Sequence, residues 1–459
     1  MKNMTLKNIA EACGGRLFGG GENLEIAGAV TDSRLVEKDF LFFAIQGERV
    51  DGHRFIPQVM EKGAACAVCE KAPVPEEGKA AGPYILVGDV KKAMQDIAAF
   101  YRSGLSIPVV GITGSVGKTS TKEFIAAVLG EKYNVLKTDG NYNNEIGVPL
   151  TLFRIREEHE AAVIEMGINH FGEMHRLSRM AAPDIVVMTN IGDCHLEALG
   201  SREGVLKAKS EIFDFMREDG TVIVNGDDKL LAGIKEVNKK RPVTFGKNKN
   251  NKCYATDICS KGLFGTEAKL HIPSGNFRVQ IPLPGDHMVY NALAAAAVGE
   301  VLGLTMAEIA AGIAAVQPTA GRSNLLRCGD KVILDDCYNA NPVSMCAALD
   351  LLAQADTRKV AILGDMFELG ENAEKLHGDV GRHAAECGID VILCVGEISA
   401  EMAREAQAAN AGGSEIRYYP EKETLLRELG QRIMPGDTIL VKASHGMGFA
   451  EIVEHIREM

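Results

Sequence analysis

Ile107-Pro-Val-Val-Gly-Ile-Thr-Gly-Ser-Val-Gly-Lys-Thr-Ser-Thr121 reads as a buried apolar strand, a glycine-rich turn and the first residues of a helix. Gly114 and Gly117 let the backbone pass close to a phosphate with no Cβ in the way. The amides at the helix start, with the helix dipole behind them, favour that anion. Lys118 reaches β- and γ-phosphates, and the Thr119 hydroxyl suits the shell of a magnesium ion. A complete Walker A signature has glycine six residues before Lys118; this chain has Ile112 there. Gly-Ser-Val-Gly-Lys-Thr between an apolar strand and the helix-like run Lys122–Leu129 still predicts a nucleotide-phosphate site, against the plainer reading of a glycine-rich turn.

Working outward, 459 residues are too many for one core, so two to four domains are expected. A hydrophobic share of 46% with 24% charged residues is ordinary for a globular protein. The net charge of −12 excludes a general nucleic-acid or membrane-surface binder. Phosphates then need local cations and metal. No apolar run approaches the roughly 18 residues of a membrane span, and Met-Lys-Asn-Met-Thr-Leu-Lys carries no signal-peptide core. Eleven scattered cysteines fit a reducing cytoplasm better than a disulfide framework. Cys66 and Cys69 form a lone CxxC, read as small residues of a buried strand rather than a redox or zinc pair.

Three α/β domains are expected: a small one over 1–88, a central P-loop-type domain over 89–317 with a doubly wound, mostly parallel sheet, and a Rossmann-like one over 318–459. In the first, Thr5 caps a helix to Cys13, Asp39–Ile45 is a short strand, Gly47–His53 a polar loop, Phe55–Gly63 a helix and 73–82 a loop. Thr31-Asp-Ser-Arg34 sets a cation and hydroxyls at a strand end, an anion-site candidate or an ordinary polar turn. In the second, Ala161–Met166, Asp184–Asn190 and Gly220–Asn225 are continuous apolar strands, as in a sheet covered on both faces. Residues 247–285 alternate as antiparallel strands, and Gly285–Asn291 leads into an alanine-rich helix. The third alternates strand and helix from Lys331 to Val441, without a GxGxxG dinucleotide loop.

Open sheets bind ligands at the carboxyl ends of their strands. In the central domain those ends carry Thr113–Ser120, Glu165, Asn190 and Asn225, with His195 just beyond. Glu165 closes an apolar strand, where a carboxylate serves as a magnesium or water ligand. Lys207 and Lys209 lie in a helix-like run ending at Phe213; by composition both fit a solvated face. In the third domain Asp335-Asp-Cys-Tyr-Asn-Ala-Asn-Pro342, Gly364-Asp-Met-Phe-Glu-Leu-Gly370 with His377, and Lys442-Ala-Ser-His445 make three polar strand ends, more than turns alone require.

Together these strings resemble the Mur ligase family, the ATP-dependent amide-forming enzymes of peptidoglycan precursor synthesis, over nearly the whole chain. Gly114–Glu123 looks like the family's ATP loop. Asn141-Tyr-Asn-Asn-Glu-Ile-Gly-Val-Pro-Leu150 looks like its second central motif, and Val163-Ile-Glu-Met-Gly167 like the strand with its metal-binding glutamate. The third-domain strings are similar to those of the member that adds a dipeptide. The resemblance implies ligation of D-alanyl-D-alanine to UDP-N-acetylmuramoyl-tripeptide by a cytoplasmic monomer with ATP and two magnesium ions, without nucleic acid or membrane insertion. It implies that Gly114, Ser115, Gly117, Lys118, Thr119 and Ser120 hold ATP phosphates, and that Asn291 meets the adenine. Arg322, Asp336 and Asn339 would reach the nucleotide when the third domain closes. Thr119, Glu165, His195 and a carbamoylated Lys209 would hold the metals, with Lys118, Glu165, His195 and Lys209 catalytic. Ser33, Arg34, Gly47, Asp51 and His53 would bind the UDP-sugar. Three positions depart from the family: Met288 where a His-Asn pair is common, His445 where many relatives have arginine, and Cys337 for a common serine.

Two other classes fit parts of the chain: a P-loop ATPase or kinase, whose phosphate transfer needs no amine, and a nucleotide-controlled binding module with negligible turnover. A folylpolyglutamate synthase or another Mur ligase is the nearest confusion within the family.

Overall fold

The computed structural model describes residues 1–47, 50–73, 82–322 and 324–459. It divides into two compact units, one of Met1–Thr113, Tyr133–Val187 and Ala208–Val222, the other of Gly114–Lys132, Met188–Lys207 and Ile223–Met459.

The first unit begins with the helix Leu6–Ala12, whose Thr5 side chain accepts from the Asn8 amide as a cap. A five-stranded sheet follows, built from β1 (Arg16–Phe18), β2 (Gly28–Val30), β3 (Phe40–Phe43), β4 (Cys66–Cys69) and β5 (Tyr84–Leu86), in the order β1-β5-β4-β3-β2. Strands β2 to β5 pair in parallel and β1 antiparallel. Cys66-Ala-Val-Cys69 is a wholly buried strand, as read from the sequence. Burial pushes the Cys69 thiol up to about 11 and Cys66 higher still, so neither is a ready thiolate. Most of the loop expected over 73–82, residues 74–81, lies outside the described residues.

The helix Val90–Ser103, capped by Asp89, carries Arg102, which is 2% exposed. Its guanidinium donates to the carbonyls of Ala181 and Ala182 and to Asp184 Oδ2 at 2.8 Å. Such full satisfaction is what lets a cation stay buried.

The middle sheet has nine strands: β6 (Val109–Thr113), β7 (Val135–Lys137), β8 (Ala161–Glu165), β9 (Ile185–Met188), β10 (Thr221–Asn225), β11 (Val243–Gly246), β12 (Cys253–Ser260), β13 (Thr266–Ile272) and β14 (Gly275–Ile281). Their order is β14-β13-β12-β11-β10-β9-β6-β8-β7. Pairing is parallel from β7 through β8 to β6 and from β10 to β12, then antiparallel to β14. Strands β6, β8 and β9 are buried along their whole length, which is why their sequences run apolar without alternation.

The last sheet holds β15 (Asn324–Cys328), β16 (Lys331–Asp335), β17 (Lys359–Gly364), β18 (Val391–Val395), β19 (Glu415–Tyr419) and β20 (Thr438–Lys442), in the order β15-β16-β20-β17-β18-β19. All pairs are parallel except β15–β16. The sequence pattern reveals β16, β17, β18 and β20 but not β15 or β19. Those two are the edges, half-exposed, and lack the continuous apolar run that marks a central strand. Three sheets with helices packed on them make the three-domain α/β fold expected.

Candidate active site

The loop after β6 is fixed by the segment Thr189–Cys194. The Ser115 amide donates to Asn190 O at 2.9 Å and the Val116 amide to Asn190 Oδ1 at 2.9 Å. Thr189 Oγ1 and Asn190 Nδ2 both donate to Val116 O, at 2.7 and 3.0 Å, and the Gly192 amide donates to Ser115 Oγ at 2.8 Å. Gly114 has φ 152° and a Cβ there would lie 1.9 Å from Thr189 Oγ1, so only glycine fits. Gly117, at φ 81°, is the left-handed residue that starts the helix Lys118–Gly130. The first-turn amides of that helix have no acceptors within it, which makes an anion-binding end. Lys118 Nζ donates to Gly114 O at 2.8 Å, placing the ammonium at the turn itself. Thr119 is buried and Ser120 half-buried. Asn291 lies in the first turn of the helix Met288–Val301 rather than before it, with Oδ1 accepting from Thr121 Oγ1 at 2.9 Å and Nδ2 3.2 Å from Met288 Sδ.

Glu165 is in register with Ile112, two residues before Gly114, and is 1% exposed. Its amide donates to Thr138 Oγ1 at 3.0 Å and its Oε1 accepts from Asn143 Nδ2 at 2.8 Å. Asn143 was legible only as part of the motif Asn141–Leu150, and its bond to Glu165 is seen only in the structure. Thr113 Oγ1, at the end of β6, is buried with no hydrogen-bond partner among the described residues. A hydroxyl left so at the mouth of a phosphate loop suits a polar ligand. Lys209 is 1% exposed whereas Lys207 on the same helix is exposed, so the two lysines that composition could not separate are separated by burial.

His195, left-handed at φ 51°, caps the short helix Leu196–Leu199, and its Nδ1 is 2.7 Å from Glu368 Oε2. Glu368 is left-handed too, at φ 63°. Two left-handed residues meeting in a hydrogen-bonded contact are a mark of a functional loop. The rest of that polar strand end departs from expectation. Asp365 is buried and accepts from the Ser399 amide and hydroxyl. His377 is fully buried, its Nε2 accepting from the Met366 amide at 2.9 Å and its Nδ1 donating to Ala373 O at 2.7 Å. Both hold the loop in shape, and Glu368 alone of the three faces outward.

At the ends of β16 and β20, Lys442 Nζ is 2.5 Å from Asp336 Oδ2 and donates to Asn339 O at 3.0 Å. Arg322 stacks on the Tyr338 ring at 3.9 Å, with the His445 ring centroid 5.2 Å from it. Arg322, Asp336 and Asn339 are thus brought together, and Lys442 and Tyr338 join them. Sequence reasoning quoted both strings without seeing that Lys442 neutralises Asp336.

In the first sheet the five remaining candidates occupy two loops at the carboxyl ends of β2 and β3. Arg34 grips Asp32 through Nε and Nη2 and holds that carboxyl down at about 2. Ser33 is buried and its carbonyl accepts from Lys62 Nζ at 2.8 Å. The Gly47 amide donates to Val50 O. His53 Nε2 accepts from the Glu70 amide at 3.0 Å, so the proton sits on Nδ1, which donates to Asp51 at 2.7 Å.

Three family models match the chain: "Mur ligase family, catalytic domain" over 25–102, "Mur ligase middle domain" over 112–299 and "Mur ligase, glutamate ligase domain" over 321–445. The chain is 39% identical to the UDP-N-acetylmuramoyl-tripeptide--D-alanyl-D-alanine ligase of Bacillus subtilis, covering all of this chain and 99% of that one. It is 36% identical to the enzyme of the same name from Escherichia coli, again over 100% and 99%. Among solved structures it is similar to MurF from Acinetobacter baumannii, with TM-score 0.90, 32% identity and 99% coverage of both chains. It is also similar to MurF ligase from Thermotoga maritima in complex with ADP, with TM-score 0.79, 28% identity and coverage of 94% and 97%.

Proposed function

The chain belongs to the Mur ligase family, and on that premise we propose that it is the ATP-dependent ligase that joins D-alanyl-D-alanine to UDP-N-acetylmuramoyl-tripeptide. The observation that carries the reading is the loop Gly114–Thr119, built so that only glycine fits at Gly114 and with Lys118 set over the turn.

A carboxylate does not form an amide directly, because oxide is not a leaving group. One carboxylate oxygen of the tripeptide attacks the γ-phosphorus of ATP and ADP leaves, giving an acyl phosphate. The free amine of the dipeptide then attacks the acyl carbon; the C–O bond to phosphate breaks, the amine loses a proton and inorganic phosphate departs. Phosphoryl transfer asks the protein for positioning and charge neutralisation. Lys118, with the loop amides of Gly114, Ser115, Gly117, Thr119 and Ser120, holds the phosphates. Thr119 and Glu165 would hold one magnesium ion, and His195 and a carbamoylated Lys209 would serve a second. Buried Thr119, Glu165 and Lys209 suit hard-cation ligation, and the Glu368 carboxylate beside Nδ1 of His195 orients that ring. Magnesium, when bound, withdraws charge from the phosphoryl oxygens.

Asn291 contacts the adenine, and Arg322, Asp336 and Asn339 the nucleotide from the third domain. Ser33, Arg34, Gly47, Asp51 and His53 take the UDP-sugar. We assign the domain limits to 1–88, 89–317 and 318–459, for UDP-substrate, ATP, and dipeptide with ATP closure. The enzyme works as a cytoplasmic monomer; among the described residues no helix is long and apolar enough to cross a membrane.

Tripeptide labelled with ¹⁸O in its terminal carboxylate tests the chemistry. One label per turnover passes to the released phosphate and the other stays in the new amide. Unlabelled phosphate, with the pentapeptide still formed, would overturn the acyl-phosphate route.

A further inference from the structure

Among the described residues, one group of metal-ligating side chains lies outside the site above: Asp350, His383 and Cys387. Asp350 is in the last turn of the helix Pro342–Leu352. His383 and Cys387 are four residues apart, one turn, at the end of the helix Ala373–Glu386. These helices follow the parallel strands β16 and β17, so their first turns adjoin the polar loops and their last turns lie at the opposite edge of the sheet. The group is therefore remote from Asp336, Asn339 and Glu368.

The ligand atoms already face one another. His383 Nε2 is 2.8 Å from Asp350 Oδ1, Cys387 Sγ is 3.5 Å from that oxygen, and Cys387 Sγ is 3.4 Å from His383 Nε2. Tetrahedral zinc, with bonds of about 2.0 Å to oxygen and nitrogen and about 2.3 Å to sulfur, needs separations of about 3.3, 3.5 and 3.6 Å. Only the nitrogen–oxygen pair has to open, by about half an ångström. A surface Asp–His hydrogen bond between two helices is ordinary; a thiol within reach of both partners is what that reading does not explain. Asp350 and His383 are 60% and 31% exposed, so a cation enters from solvent without unfolding and water completes the shell. Two helix carboxyl ends beside the cluster add partial negative charge.

We propose that Asp350, His383 and Cys387 bind a divalent cation of the zinc class, separate from the catalytic magnesium and selected by its thiolate and imidazole ligands. Bound there, it clips the ends of two helices whose beginnings carry the polar loops of the third domain.

Cobalt(II) is the probe, added to the full chain after reduction and chelator removal. The expected result is one cobalt per chain with a thiolate-to-cobalt charge-transfer band and the visible absorption of four-coordination. Zinc displaces it and millimolar magnesium does not. Cys387→Ser abolishes the charge-transfer band, and His383→Gln and Asp350→Asn each weaken binding at least tenfold. All three variants keep the cobalt-free melting temperature and the ligase turnover. A charge-transfer band that survives Cys387→Ser, equal affinity in Asp350→Asn and the parent chain, or no cobalt band in the parent would each overturn the proposal.

Discussion

Gly114 and Lys118 carry the phosphate site, and each makes its own prediction. A Cβ at position 114 meets Thr189 Oγ1 at 1.9 Å with the backbone at φ 152°, and Thr189 is itself tied to Val116 O. Gly114→Ala therefore costs about 1–3 kcal/mol of stability and most ATP affinity; an unchanged urea midpoint would contradict the geometry. Lys118 donates to the Gly114 and Ser115 carbonyls of its own turn, and Lys118→Ala lowers turnover about a thousandfold or more while the chain still folds. Normal activity in that variant would sink the reading of the loop. Lys209→Ala loses most activity and regains part of it with added short carboxylates, which stand in for the carbamate; absence of rescue counts against carbamoylation. The glycines and Lys118 were legible because backbone sterics and phosphate charge demand those residue types at that spacing. Asn143 on Glu165, Thr189 and Asn190 under the loop, and Lys442 on Asp336 were not legible as pairs. Partner choice across 22 to 106 residues is a tertiary fact with no local period to betray it.

At the scale of elements, β20 and the turn after β16 are joined by one buried ion pair. Lys442 and Asp336 side chains are 3% and 12% exposed, so Lys442→Met removes a buried cation from beside that carboxylate. Breaking such a pair costs about 3–5 kcal/mol; a thermal melt reads it, and a change within error would show that Asp336 finds another cation. The loop after β17 is tied to its helix by His377, neutral because burial drives its pKa below the ordinary imidazole value and because Nε2 must accept from Met366. The unfolded chain takes up the proton first as pH falls. Stability is therefore fully present above the unfolded pKa of about 6.5 and declines below it, by up to about 1.4 kcal/mol per pH unit, until the lower folded pKa is reached. Urea midpoints between pH 7.5 and 5 check this: His377→Asn flattens the slope, and an equal slope in both would refute the assignment. Strands β6, β8, β9 and β10 were read correctly because a doubly covered sheet forces continuous apolar runs, whereas interior β11, half-buried over its first two residues, was missed. Edge strands β15 and β19, half in water, carry no such constraint and were missed.

At the scale of the molecule, three sheets bear three sets of polar strand ends, each set on parallel strands where an open α/β sheet presents its ligand face. An acidic chain of net charge −12 that handles anions has to bring cations locally, and Lys118, Arg34, Arg322 and Lys442 are placed at those ends. Fold and reaction class were legible because the phosphate loop, the apolar strands and the third-domain strings all point one way. The roles within the site were less so: Asp365 and His377 look like chemistry in sequence and prove to be struts. Coupling between the substrates tests the whole account. With UDP-N-acetylmuramoyl-tripeptide and ATP supplied, phosphate release is measured with D-alanyl-D-alanine added or withheld. Release that needs the dipeptide, matched by a pentapeptide product by mass, is the predicted result; release that runs on without it, and no pentapeptide, would contradict the ligase and leave an ATPase.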